Sequence, residues 1–304
     1  MSYPLLSIPG PTAAGKTGAA IALACELDGE VINFDSRQVY EDFPIITAQP
    51  SSEERAQCPH RLYGFMQTHQ SLGAAAYADL LLETIAEVRS RGKLPILVGG
   101  TGLYLKALLQ PLAPIPPIPE AVRKKIQEAC EKLGPGRLHS DLAKVDPPLA
   151  ERLHPNDRQR IMRGLEVYEA TKKPLSCWHA ETVETRDFHA VKLGVGLTLD
   201  ELTPYLYKRI EVMLDLGAMD EARAAMEKNN DRNAPGWSGI GCAELFAYLK
   251  EEIDLAECKA MWGKNTRAYA KRQLTWFNAD KEIQWFRPGE HWKMLAAARA
   301  ALAV

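Results

Sequence analysis

Short apolar runs alternate with longer stretches of helical periodicity through the first hundred residues. "LLSIP" (Leu5 to Pro9), "VINF" (Val31 to Phe34) and "LPILV" (Leu94 to Val98) predict buried strands, and the patterns at Lys16 to Leu27 and Ala76 to Ser90 predict helices between them. Such alternation implies an α/β protein with a parallel sheet flanked by helices. Ligands of these sheets sit at the carboxyl ends of the strands, where Gly10, Asp35 and "GGTG" (Gly99 to Gly102) fall. Three separated segments are therefore expected to converge on one cleft.

The pattern changes at "PLAPIPPIPE", whose prolines stiffen an extended connection out of the core. From Glu120 to Ala180 the chain is charged and amphipathic at helical spacing, which predicts a helical insertion. "AVKLGVGLTL" (Ala190 to Leu199) returns to strand composition. Helical patterns follow from Leu202 to Lys228 and from Ala243 to Phe277, separated by the loop-like "NNDRNAPGWSGIG". The expected organisation is a core of residues 1–112 and 190–304 with C-terminal helices, and a helical insertion domain of residues 113–189.

Composition narrows the function classes rather than the fold. The 304 residues are 46% hydrophobic, as in ordinary globular proteins, and 37 Lys and Arg stand against 39 Asp and Glu. Any contact with nucleic acid must therefore come from local basic surfaces. Six cysteines are scattered without a C-x-x-C pair, so neither a disulfide framework nor a zinc site is expected. A leader pattern and a run of about 18 apolar residues are both lacking, which leads to the expectation of a cytoplasmic protein with no membrane partner.

Chemistry enters with "GPTAAGKT" (Gly10 to Thr17), which fits the G-x-x-x-x-G-K-[ST] phosphate loop and has the required strand before it and helix after it. Lys16 would pair with an outer phosphate, and the Thr17 hydroxyl would be a ligand of Mg²⁺. Asp35, in "VINFDSRQVY", offers a carboxylate that can accept a proton; the alternative is an N-cap of a following helix. Gln38 offers an amide able to pair bidentately with an adenine edge. Thr101 presents a hydroxyl in a glycine-rich turn, with a helix cap as its alternative. Basic clusters occur at Arg158, Arg160 and Arg163, and at Lys264, Arg267, Lys271 and Arg272 interleaved with Tyr269, Trp276 and Phe277. Cations meet RNA phosphates and aromatics stack on unpaired bases, although charged helices are commonly just solvated faces.

With "GPTAAGKT", "DSRQVY", "GGTGLYLKALL", "NDRQRIMRGLEVYEAT" and "TRAYAKRQLTWF" in this order, the chain resembles the tRNA dimethylallyltransferases over nearly its whole length, in the bacterial form that lacks a C-terminal zinc finger. The resemblance implies a P-loop NTPase-like core and transfer of a dimethylallyl group from dimethylallyl diphosphate to the exocyclic amine of an adenosine adjacent to the anticodon. The loop, Gly10, Pro11, Thr12, Ala13, Ala14, Gly15, Lys16 and Thr17, would then hold a leaving group, with Mg²⁺ as cofactor on Thr17. Asp35 would be the general base, Gln38 would select adenine and Thr101 would lie near the transferred group. Arg209 matches an arginine on the diphosphate, with Lys208 as the alternative match and a surface ion pair as the alternative role. Contacts to the tRNA anticodon stem-loop would come from Asp35, Ser36, Arg37, Gln38, Thr101 and Arg123, and from Gln159, Arg160, Ile161, Met162 and Arg163 in the insertion, acting as a clamp. A monomer is expected. Arg61 and Cys242 depart from the family's usual residues.

The leading rival is a P-loop small-molecule kinase that turns over ATP and closes the arginine-rich insertion as a lid. An RNA-binding nucleotide switch would not need Asp35, and a prenyltransferase of free adenine nucleotides would not need the RNA-contacting insertion.

Overall fold

The computed structural model describes residues 3–181, 186 and 188–302; the outermost residues of the expected core segments, and 182–185 and 187 of the expected insertion, lie outside it. Strands β1 (Tyr3–Pro9), β2 (Gly29–Asn33), β3 (His60–Arg61), β4 (Leu94–Gly99), β5 (Phe188–Val195) and β6 (Gln284–Phe286) form one sheet in the order β3-β2-β4-β1-β5-β6. Every pairing is parallel. The register aligns Pro9 of β1 with Gly99 of β4 and Asn33 of β2 with Val98, so the carboxyl ends of the central strands lie level.

Helices α1 (Lys16–Glu26), α2 (Ser52–Gln57), α3 (Ala74–Ser90) and α4 (Gly102–Leu109) follow the first four strands; α10 (Leu199–Asp215), α11 (Ala218–Lys228), α12 (Cys242–Leu249), α13 (Leu255–Asn278) and α14 (His291–Leu302) belong to the same unit. Because both sheet faces are covered, the strands read as continuous apolar runs. Leu6, Ile8, Ile96 and Val195 pack with Ile21 of α1 and Met294 of α14 on one face; Leu5, Ile32 and Leu97 pack with Leu81, Ile85 and Phe277 on the other.

The expected helix from Leu202 to Lys228 is two helices broken at Leu216–Gly217, and that from Ala243 to Phe277 is two, broken before Asp254, which caps α13 by accepting from Glu257 N. The strand expected at Ala190 to Leu199 ends at Val195, because Thr198 caps α10.

Residues Gln110–Thr185 form a second compact unit. It comprises α5 (Glu120–Leu133), α6 (Pro135–Val145), α7 (Pro147–Arg152), α8 (Arg158–Thr171) and α9 (Leu175–Ala180) around a core that includes Ile118, Leu142, Leu149, Ile161 and Val167. Asp146, fully buried, caps α7 through Leu149 N at 3.2 Å and accepts from Ser176 N at 2.9 Å, which ties α9 to the bundle.

Candidate active site

The phosphate loop leaves β1 at Gly10, where a Cβ would fall 2.2 Å from the Val195 carbonyl oxygen, so only glycine fits beneath the end of β5. The loop turns into α1 at Lys16, and the unpaired N–H groups of that first turn suit an anion. Lys16 Nζ donates to the Pro11 carbonyl at 2.7 Å. Burial around this ammonium pushes its pKa down to about 8, with Asp35 opposing the shift and Arg209 adding to it.

Asp35 lies two residues beyond β2 in a turn held at both ends. Its N–H donates to Asn33 Oδ1 at 2.7 Å, and its Oδ1 accepts from Arg37 N at 2.9 Å. No helix begins there, which removes the N-cap alternative. Thr101 likewise does more than begin α4. Its hydroxyl accepts from Ser36 N at 2.9 Å and donates to Ser36 Oγ at 3.2 Å; the Tyr269 hydroxyl has its pKa raised by burial and by the Asp35 charge.

Gln38 differs from the expectation. Its Nε2 donates to Thr47 O at 3.1 Å and Ala48 O at 2.6 Å, so both amide hydrogens are committed and a bidentate pairing with adenine lacks its donor. Oε1 alone is left for a base. The segment it holds is fixed again by Glu221, whose carboxylate accepts from Ile45 N at 2.7 Å and Ile46 N at 2.8 Å and whose pKa burial pushes up to about 7.

Two cavities meet at Asp35. The larger, about 800 Å³, is lined by the phosphate loop, including Lys16 and Thr17, and by Gln38. The smaller, about 200 Å³, is lined by Arg37, Trp262, Thr266, Tyr269 and Arg272. Thr12, Asp35, Thr47, Arg209 and Met213 line both. Arg209 thus occupies the shared wall while Lys208 is exposed and lines neither cavity; burial lowers the Arg209 pKa and the Asp35 charge opposes this. Arg37 also donates to Ser238 Oγ at 2.9 Å, closing one side of the smaller cavity.

In the second unit Arg123, Gln159 and Arg160 are exposed and Met162 and Arg163 half-buried. Ile161 is fully buried in that unit's core and its N–H donates to the Asp157 carbonyl at 3.0 Å, so, against the expectation, it offers no surface for an RNA contact. The departures from the family pattern are structural: Arg61 donates to Glu30 at 2.9 Å and Cys242 is buried in the main core.

Sequence reasoning missed Gln273, 4% exposed in the C-terminal third of α13. Trp262, Thr266, Tyr269, Gln273 and Phe277 recur at helical spacing on one face, and a glutamine on such a face was the available signal.

A phosphate loop after β1, a carboxylate after β2 and a glycine-rich turn after β4 around a shared cleft define a P-loop-type α/β enzyme acting on a phosphorylated substrate. Residues 38–280 match the family described as IPP transferase, and the chain belongs to that family. It is 57% identical to the tRNA dimethylallyltransferase of Oleidesulfovibrio alaskensis, covering 93% of this chain and 92% of that protein. The protein of the same description from Maridesulfovibrio salexigens is 54% identical over 95% of this chain and 94% of its own. Among solved structures, a tRNA isopentenylpyrophosphate transferase from Bacillus halodurans aligns with a TM-score of 0.72 at 32% identity, covering all of this chain (100%) and 97% of its own. A eukaryotic dimethylallyltransferase acting on tRNA aligns with a TM-score of 0.79 at 30% identity, covering 98% of this chain and 78% of its own.

Proposed function

We propose that the protein transfers a dimethylallyl group from dimethylallyl diphosphate to the exocyclic amine of the adenosine adjacent to the anticodon in tRNA. The observation that carries the reading is the meeting of the two cavities at Asp35: one is walled by a phosphate loop, the other by aromatic and basic side chains of α13 suited to a nucleobase. Membership of the IPP transferase family supports it. That membership, with relatives described as tRNA dimethylallyltransferases, does not favour the kinase.

In this reaction the adenine N6–carbon bond forms, the allylic carbon–oxygen bond breaks and diphosphate leaves with the bonding electron pair. Lys16, Arg209 and the N–H groups of the phosphate loop stabilise the charge growing on that leaving group. The N6 proton passes to Asp35. Its Oδ1 is engaged by Arg37 N, and Oδ2 lies beside the turn after β4, 3.1 Å from where a Cβ of Gly100 would stand. Oδ2 is therefore the oxygen assigned to the proton. An amine whose lone pair is delocalised into the ring gains about 10²–10⁴-fold from such a base.

Mg²⁺ suits the site as a substrate-borne ion. No group of three or more His, Cys, Asp or Glu side chains among the described residues could hold a metal, whereas Thr17 lines the larger cavity beside Lys16. Mg²⁺ binds through few protein oxygens together with phosphates and water, and supplies charge neutralisation at the leaving diphosphate. The RNA partner is assigned as the anticodon stem-loop. Its target base must leave the stack, at a cost of a few kcal/mol offset by phosphate and stacking contacts, to which Arg123, Gln159, Arg160, Met162 and Arg163 of the insertion contribute.

Incubation with Mg²⁺, labelled dimethylallyl diphosphate and an unmodified anticodon stem-loop should move label to RNA. No transfer, with ATP turnover stimulated by a small metabolite, would reinstate the kinase.

A further inference from the structure

Gln273 connects the two halves of the site through one planar amide. Its Oε1 accepts from Thr12 N in the phosphate loop at 2.9 Å, and its Nε2 donates to the Gly100 carbonyl after β4 at 3.0 Å. Gly100 is also the residue against which Asp35 Oδ2 rests. A Cβ there would fall 2.0 Å from Gln273 Nε2 and 3.1 Å from Asp35 Oδ2, so both side chains close on the same glycine. Tyr269 and Arg272, adjacent to Gln273 on α13, line the smaller cavity. Loop, turn and helix thus meet at one buried side chain whose donor and acceptor are both used.

We propose that Gln273 is a positioning residue for the transfer, setting the separation between the leaving diphosphate and the oxygen that takes the proton. The inference rests on the proposed transferase reading, in which the phosphate loop holds diphosphate and Asp35 is the base. The reacting carbon lies between those two groups, and a misplacement of about 1 Å costs roughly 10²-fold in rate. Neither hydrogen bond touches a substrate atom, so the effect falls on kcat rather than on donor binding. An amide is required because only it offers one N–H donor to Gly100 and one oxygen acceptor to Thr12 at neutral pH. A protonated carboxyl group offers the same pair; a carboxylate faces the Gly100 carbonyl with a repulsive oxygen.

The test uses the full chain with Mg²⁺, labelled dimethylallyl diphosphate and the unmodified stem-loop, comparing wild type with Gln273→Met and Gln273→Glu between pH 6 and 9. Met should lower kcat about 10–100-fold with KM for the donor changed by less than about threefold, at a constant ratio to wild type across pH. Glu should approach wild type at the acid end and fall towards Met at the alkaline end, a profile that a tie serving only stability would not produce. Folded Met variant with kcat within about twofold of wild type, or a loss confined to KM, overturns the proposal. If Met fails to fold, a Glu variant whose ratio to wild type is flat in pH overturns it equally. Wild type that transfers no label overturns the transferase reading and this proposal with it, an outcome distinct from each of these.

Discussion

Gln273 and Arg160 both lie in helical stretches that the sequence marks as basic, yet they are held in opposite ways. Gln273 is buried at 4% exposure, and its partners are backbone groups 261 and 173 residues away in the chain. Arg160 keeps 72% of its side chain exposed, and its ion-pair partner is Asp157 at 3.4 Å in the preceding turn. The same contrast runs through the two units: Thr101 is tied to Ser36 across 65 residues and Gln38 to the carbonyls of residues 47 and 48, whereas Arg160 and Arg163 meet carboxylates three residues away on their own helix or its cap. Long-range bonds in a low-dielectric site fix geometry, while exposed short-range pairs contribute little and exchange readily with phosphate. The core is thus built for alignment and the insertion for charge. Substitutions in the first should act on kcat, and those in the second on RNA affinity and its salt dependence.

The sharpest break in that contrast is Asp35→Asn. Its turn can persist, because an asparagine Oδ1 still accepts from Arg37 N, but no base is left for the N6 proton. Turnover should fall about 10²–10⁴-fold with KM for the donor nearly unchanged, read by steady-state label transfer. A comparable kcat loss from Arg160→Ala would erase the distinction between the units.

Next in size is a pH effect confined to the core. The Lys16 pKa lies near 8, below its ordinary value, so in the free protein the ammonium is half lost at that pH. On the proposed reading the diphosphate binds the protonated form. Donor affinity should therefore be nearly flat below about pH 7 and weaken up to about tenfold per unit above 8, with a proton taken up on binding. Calorimetric titration with dimethylallyl diphosphate, in buffers of different ionisation enthalpy, measures both quantities. Lys16→Met should bind more weakly and independently of pH; retention of the pH slope in that variant would move its origin elsewhere.

The core's strands were legible because each apolar run is bounded by glycine, proline or a polar turn, and the phosphate loop because its function demands a local spacing. β3 and β6 were not. His60–Arg61 and Gln284–Phe286 carry too few apolar positions to signal a strand, and they pair only because neighbouring strands offer an edge. Thr101 and Asp35 were legible as strand-end residues, but the roles of Gln38 and Gln273 depend on carbonyl groups brought close by folding. An amide that could read adenine and one that braces a loop look alike in sequence. Arg209 was one of two adjacent cations until the rotation of α10 placed it in the shared wall and left Lys208 outside.

The smallest effects belong to the insertion, and they separate its arginines from one another. Arg160→Ala removes an exposed charge whose pairing with Asp157 is screened, so it should lower stem-loop affinity a few-fold and reduce the salt slope by about 1 with no loss of stability. Arg163 is less exposed, at 41%, and stands 3.8 Å from Glu166, which is 14% exposed. Burial raises the Glu166 pKa while the charges of Arg163 and Arg123 lower it. Removing Arg163 therefore takes away a cation proposed to meet RNA and also leaves that carboxylate with less compensation. Arg163→Ala should weaken RNA binding and lower the melting temperature together, and adding Glu166→Gln should restore the melting temperature without restoring the salt slope. If the double variant recovers both, Arg163 serves the insertion's own fold; if it recovers only stability, the arginine has a separate task on the RNA.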